Sequence, residues 1–320
     1  MNTCFLPFVS DARQSDRLYT LNGIYMETKM MIYSESEDFL DTAKMLSERL
    51  RIPYTLDKTE LDTFLYEDNS KMQKSKEDHN EPSSIDDHPK HASNETHPES
   101  ASPNSSLYLK LDETGLSLTD GNLSLRGDFT DNASRLKKSN LERELLVKCA
   151  RLKGLDHTPV IIDATAGMGE DSLLLAASGF KVILYEYDPV IASLLEDSLR
   201  RAALDPDLKE IVSRMELHIE SSIDAMKHLD HSPDAVLLDP MFPARTKSAL
   251  VKKKFQLLQQ LERPCSDEAE LFNASLQAKP HKIIIKRPLK GPFLAGVKPD
   301  YSLSGKAIRY DCILPETRKL

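Results

Sequence analysis

Residues 239 to 243 read Asp239-Pro240-Met241-Phe242-Pro243 and follow the apolar run Ala235-Val236-Leu237-Leu238. A strand that ends in an acid, a proline and an aromatic offers an acceptor, a stiffened turn with exposed carbonyls, and a stacking face. These groups suit a planar base held by its exocyclic amine. The lone pair of such an amine is delocalised into the ring. Accepting its N–H bonds on Asp239 and the turn carbonyls localises that pair and aims it at an electrophile. The base must then stand outside any helical stack. A Pro-rich strand end with a core Phe would account for Pro240 and Phe242, but not for the acid.

Upstream, Asp163-Ala-Thr-Ala-Gly167-Met-Gly169-Glu170-Asp171 follows another apolar run, Val160-Ile-Ile. Glycines between a strand and a helix let backbone approach a ligand at the carboxyl edge of a sheet. The third glycine of a G-x-G-x-x-G loop is replaced by Ser172, which disfavours a pyrophosphate. Glu186 ends the next strand, where an acid can accept hydrogen bonds from both ribose hydroxyls. Glu170 and Asp171 would repel a pyrophosphate but suit a sulfonium carrying an amino group. Ser221 and Ser222 follow the third strand, where an adenine-contacting loop would fall; a helix N-cap explains them equally well. Asp163, Gly167 and Gly169 with Glu186 thus point to S-adenosylmethionine rather than a nicotinamide dinucleotide. Paired with the Asp239 loop, the implied chemistry is methyl transfer to an amino group.

The elements that would position these residues alternate. Strands are expected at 160–163, 181–186, 215–219, 234–238 and 282–286. Helices are expected at 170–178, from Pro189 to about Ala203, at 246–261 and at 266–278. Alternating strands and helices imply a parallel sheet covered on both faces. Residues 301–303 and 307–314 read as a terminal antiparallel hairpin, the usual departure of methyltransferases from a plain dinucleotide fold. A helix is expected over 140–153. Ahead of it, residues 29–56 read as a compact β-α-β unit with Ser36 as a helix cap, and 107–126 as an antiparallel meander. The chain therefore divides into an extension, 1–25, a small α/β subdomain, 26–134, and a larger domain, 135–320. Met26 and Met30 are candidate alternative starts. Residues 67–106 are polar and poor in large apolar side chains, and read as a disordered insertion.

The chain has 320 residues and a net charge of −9, of which −5 lies in 67–106. Basic clusters elsewhere, Arg245, Lys247 and Lys252–Lys254 after the amine loop and Lys286-Arg287 at a strand end, could hold phosphates despite that acidity. The four cysteines form no CxxC pair, which argues against structural zinc and a disulfide scaffold. Apolar runs are too short for a membrane helix. A cytoplasmic protein without metal or membrane partner is expected.

Three stretches, Asp163-Ala-Thr-Ala-Gly-Met-Gly169 with Asp171, Tyr185-Glu-Tyr-Asp-Pro-Val-Ile-Ala192, and Leu238 through Lys253, together with Lys286-Arg-Pro288, resemble the ribosomal small-subunit RNA methyltransferase J family. The likeness runs from about residue 28 to 315. It implies a class I S-adenosylmethionine-dependent methyltransferase, Rossmann-like, that methylates a guanine N2 in 16S rRNA, free or within the small ribosomal subunit. It also implies cofactor contacts at Glu170, Asp171, Glu186, Tyr187, Ser221, Ser222 and Asp239. The amine loop's own chemistry suits an adenine as well.

Overall fold

The computed structural model describes residues 30–66, 106–240, 257, 258, 261 and 268–317. The expected insertion and the helix expected at 246–261 lie almost wholly outside the described residues.

The first sheet has the order β2-β1-β3-β4-β5. It consists of β1 (Met31–Ser34), β2 (Tyr54–Thr55), β3 (Tyr108–Asp112), β4 (Gly115–Thr119) and β5 (Ser124–Leu125). β1 pairs parallel with β2 and β3, and the meander is antiparallel, as its alternation implies. Helix α1 (Leu40–Leu50) follows a 3-10 turn whose start is capped by Ser36, and it stops where Arg51 turns left-handed two residues before Pro53. Residues 58–66 form a further helix, α2, beyond those expected from the sequence. Its start signal was present: Asp57 accepts the Thr59 N–H at 2.8 Å, with Glu60 three residues on.

The second sheet has the order β11-β12-β10-β9-β6-β7-β8. Its strands are β6 (Val160–Asp163), β7 (Lys181–Tyr185), β8 (Met215–His218), β9 (Ala235–Leu238), β10 (Lys282–Pro288), β11 (Tyr301–Ser304) and β12 (Ile308–Ile313). β6 to β10 run parallel, and β12 enters antiparallel between β10 and β11. Side chains alternate faces along a strand. Ile161, Leu237 and Ile284 accordingly fall in the core on one side, and Ile162, Val236 and Ile283 in the core on the other. Burial on both faces is why these strands read as unbroken apolar runs. Each such side chain contributes about 1.5–3 kcal/mol on removal from water.

Helices α5 (Glu170–Ala177) and α6 (Pro189–Ala202) flank the cradle, with α7 (Lys209–Val212), α8 (Ser222–Lys227) and α9 (Glu268–Gln277) following. Asp188 caps α6 by accepting the N–H groups of Val190 and Ile191, and Pro189 fills the first turn. The single helix expected over 140–153 is instead two short ones, α3 (Lys138–Leu141) and α4 (Leu145–Ala150). The chain is extended at Glu144, whose carboxylate receives two N–H groups of Arg135 at 2.9 and 3.2 Å.

The two sheets are joined through α6. Its Ile191 and Leu194 belong to the apolar core of the small sheet, with Leu109, Leu116 and Leu118. On the same helix Asp197 accepts the Leu116 N–H at 3.0 Å.

Candidate active site at the carboxyl edge of the large sheet

β6 and β9 are neighbours, yet the chain leaves them in opposite directions, toward β7 and toward β10. Ligand crevices form at such a switch point, outside the carboxyl ends of the strands. Asp163 ends β6, while Glu186 and Asp239 immediately follow β7 and β9. Because Ile285 of β10 pairs with Leu238 of β9, the next residue in each strand, Lys286 and Asp239, is delivered to the same edge.

The two cradle glycines serve different needs. Gly167 has φ +53° and a Cβ there would meet nothing within 4 Å, so its backbone borders open space. Gly169 has φ +76°, and a Cβ would lie 2.6 Å from Leu195 Cδ1 and 3.3 Å from Phe129 Cζ. It is a close-packing position under the start of α5.

Glu186 is buried, and its carboxylate receives the N–H groups of Gly167 and Asp188, both at 2.9 Å. Burial pushes its pKa up, with those two N–H groups opposing. The carboxylate therefore holds the glycine turn while lying at the mouth of the cradle. Asp163 is only 2% exposed. Burial pushes its pKa up to about 7, against the opposing hydrogen bond that Ser172 Oγ donates at 2.6 Å. So Ser172, which stands where a third glycine was looked for, anchors the base of the turn. Asp163 acts from beneath the cradle and offers no open face to a ligand.

Glu170 is exposed and Asp171 half-buried in the first turn of α5. Tyr187 is exposed beyond β7. Ser221 caps α8, accepting the Asp224 N–H at 3.4 Å, and Ser222 is buried behind it. The cap reading and a place after β8 thus hold together.

Asp239 donates its backbone N–H to Thr165 Oγ1 at 2.7 Å, which ties the amine loop to the cradle. Its side chain is 39% exposed. Surrounding protein still raises its pKa by desolvation; Lys286 opposes and Asp171 reinforces that shift. Pro240 is buried. Phe242, Arg245, Lys247, Lys252 and Lys253 lie outside the described residues.

Two expected phosphate contacts are corrected. Arg287 is 0% exposed along its side chain, pairs with Glu268 at 3.1 Å and donates to the Pro292 carbonyl at 3.0 Å. A guanidinium so enclosed presents nothing to RNA. Lys286 is turned to two carboxylates instead, Asp171 Oδ2 at 2.7 Å and Asp239 Oδ2 at 2.9 Å. Since Lys286 already balances Asp171, that acid does not offer the uncompensated charge expected of it. Residues that sequence reasoning missed are Thr165 and Tyr310. Tyr310 is buried on β12 directly opposite Lys286. Burial raises its pKa, and Asp171 and Asp239 push the same way while Lys286 opposes.

A groove of about 570 Å³ lies elsewhere, along the small sheet, where Lys58, Lys110 and Arg126 are matched by Glu35, Asp112, Asp128 and Asp131. Its charges largely cancel, and none of the cradle residues lines it. Among the described residues no cluster of three His, Cys, Asp or Glu side chains is placed to hold a metal. Among them, too, no helix is long and apolar enough to cross a membrane.

With a doubly wound sheet, an antiparallel β12 and a glycine cradle backed by Glu186, the architecture is that of a class I S-adenosylmethionine-dependent methyltransferase. A family model described as "Putative SAM-dependent methyltransferase" matches residues 94–315. A crystal structure of a SAM-dependent methyltransferase from Neisseria gonorrhoeae superposes with a TM-score of 0.54 at 30% identity, covering 69% of this chain and 88% of that one. The ribosomal RNA small subunit methyltransferase J of Pseudomonas aeruginosa (strain UCBPP-PA14) is 44% identical over 191 residues, 58% of this chain and 72% of the relative. That of Neisseria gonorrhoeae is 36% identical over 216 residues, 66% and 84% respectively. The chain belongs to the ribosomal RNA small subunit methyltransferase J family.

Proposed function

We propose that the protein methylates the exocyclic N2 of a guanine in the RNA of the small ribosomal subunit, using S-adenosylmethionine. The observation that carries this reading is the hydrogen bond from Asp239 to Thr165, which fixes the amine-accepting carboxylate beside the cradle. The residues present fit the cofactor: the open backbone at Gly167 leaves room for it, and Glu186 stands at the rim with oxygens able to accept ribose hydroxyls. When bound, the cofactor supplies an electrophilic sulfonium methyl. Asp239 would accept an N–H of the guanine amine, turning its lone pair outward and taking up the proton released when the N–C bond forms. Phe242 would stack on the base, while Arg245, Lys247, Lys252 and Lys253 would meet phosphates. Such a substrate places the protein in the cytoplasm. Names of relatives support RNA of the small subunit, and the family resemblance supports guanine over adenine.

The test uses tritiated S-adenosylmethionine and 16S rRNA or small subunits from a strain lacking the corresponding enzyme. Label is expected on one guanine, mapped by mass spectrometry, and Asp239→Ala is expected to abolish it. Label on adenine, or equal labelling by the variant, would overturn the reading.

A further inference from the structure

The expectation for Lys286 was a phosphate contact, and its geometry fits another task. Its ammonium bonds Asp171 Oδ2 at 2.7 Å and Asp239 Oδ2 at 2.9 Å, and only 25% of its side chain is exposed. Both partners stand at the carboxyl edge of the large sheet. Asp171 stands in the first turn of α5, and Asp239 leaves β9 beside β10 in fixed register. Tyr310 stands opposite Lys286 on β12.

We propose that Lys286 is a positioning residue for methyl transfer, pinning one oxygen of Asp239 to the cofactor helix through Asp171 and directing the other at the substrate amine. This rests on the reading of Asp239 as the acceptor of that amine. Three carboxylates converge here, Asp163 from β6, Asp171 from α5 and Asp239 from β9, and each unpaired charge would hinder the ionisation of the others. Asp163 and Asp171 both face Asp239 from packed elements, while Lys286 and, more distantly, Arg287 oppose them from β10. Among the described residues Arg135, paired with Glu144 at the head of α4, also acts on Asp171, and Tyr310 is a further ionisable group beside the site. Burial disfavours charge on Lys286, but Asp239 and Asp171 outweigh it and raise its pKa, so the ammonium persists at every working pH. A cation held this way keeps Asp239 ionised, and therefore able to accept, at lower pH than it would be alone. It also removes one of the carboxylate's rotational choices before the base arrives.

The carboxylate's neighbours make the test directional. In Lys286→Gln the acid limb of the kcat–pH profile is expected to move to higher pH, because Asp239 loses its counter-charge. In Asp171→Asn it is expected to move to lower pH, because a like charge has gone. At pH 7.5, kcat of Lys286→Gln should fall roughly 100-fold while the KM for RNA changes less than about 3-fold, and Lys286→Arg should restore most of the rate. Titration calorimetry with S-adenosylmethionine reports whether each variant is folded. Should Lys286→Gln fail to bind cofactor, a downward shift of the acid limb in Asp171→Asn together with an unmoved limb and a near-wild-type rate in Lys286→Arg decides the matter. A raised KM for RNA with a shallower salt dependence and an unmoved pH profile would make Lys286 an RNA contact and overturn the proposal. So would acid limbs that move the same way in Lys286→Gln and Asp171→Asn. Failure of the wild-type enzyme to label RNA would instead overturn the functional reading on which this rests.

Discussion

The hydroxyl of Thr165 receives the backbone N–H of Asp239 at 2.7 Å, joining a residue of the cofactor turn to the acid of the amine loop across 74 positions of sequence. Methyl transfer needs donor and acceptor within about 3–3.5 Å and aligned, and small misplacements cost orders of magnitude in rate. With the Ala164 N–H on the Leu237 carbonyl at 3.0 Å, this bond holds the start of the amine loop to the cradle. Thr165→Val keeps shape but leaves a half-buried N–H without its acceptor, at a cost of about 1–3 kcal/mol. Steady-state kinetics should show kcat reduced about 10-fold or more with cofactor affinity within roughly 2-fold of wild type. Thr165→Ser should restore the rate. A loss in the serine variant with the valine variant near wild type would mean that packing of the methyl group, not the hydroxyl, is what matters.

The cradle glycines should separate stability from binding. Gly169→Ala forces a methyl against Leu195 and Phe129 at a positive φ, so it should lower unfolding free energy by about 2–4 kcal/mol in urea denaturation. Gly167→Ala meets no neighbour, and its backbone strain alone should cost about 1 kcal/mol. Its methyl projects where the ligand is expected, so cofactor affinity should drop in calorimetry by at least about 10-fold. Retained affinity in Gly167→Ala would move the cofactor away from this turn.

The parts of this arrangement visible in the sequence were those written locally. Val160-Ile-Ile, Ala235 to Leu238 and Ile283 to Ile285 announce strands buried on both faces, and Asp188-Pro189 announces a capped helix. Asp163, Gly167, Glu186 and Asp239 could be placed at one edge because alternating strands and helices require it. Lys286 and Arg287 could not be assigned, because a sequence gives charge but not direction. Adjacent residues on a strand point to opposite faces. One therefore meets Asp171 and Asp239, and the other meets Glu268 and the Pro292 carbonyl. Thr165 and Tyr310 gain their roles only from distant pairing. The break at Glu144 likewise depends on Arg135, nine residues away, rather than on propensity.

Asp163 should make stability fall as pH rises. Its folded pKa, raised to about 7, exceeds the unfolded value of about 3.9, so the native state binds the proton more tightly. Its contribution is complete below the unfolded pKa and is lost as pH rises through the folded one. Between about pH 4 and 7 the loss is on the order of a few kcal/mol. Asp163→Asn keeps a neutral side chain of the same shape and should flatten that slope. Urea denaturation of the cofactor-free protein at pH 5 and pH 8 should find the gap between the two smaller in the variant. An unchanged gap would place the titration elsewhere.

Removing Asp197 should weaken the tie between the two sheets without uncoupling their unfolding. Asp197 is buried on α6, accepts the Leu116 N–H of β4 at 3.0 Å, and pairs with Arg200 at 2.7 Å and Arg201 at 2.8 Å. Arg201 in turn donates to the Gly127 carbonyl, on the segment that leads to Phe129 and so to the floor of the cradle. Arg200 is 62% exposed and would be released to solvent, but removing Asp197 leaves the Leu116 N–H and the mostly buried Arg201 without that acceptor, at a cost of about 1–3 kcal/mol. In Asp197→Ala the small sheet loses its polar tie to α6 while the apolar contacts of Ile191 and Leu194 remain. Because those apolar contacts are shared by both sheets, a single denaturation transition is expected, shifted down by that amount and seen alike by circular dichroism and by tyrosine fluorescence. Two separated transitions would show instead that Asp197 is what couples the sheets. In that event the cradle, whose Gly169 lies against Phe129 and whose Met168 lies against Gly127 on the segment after β5, should lose cofactor affinity at the first of the two.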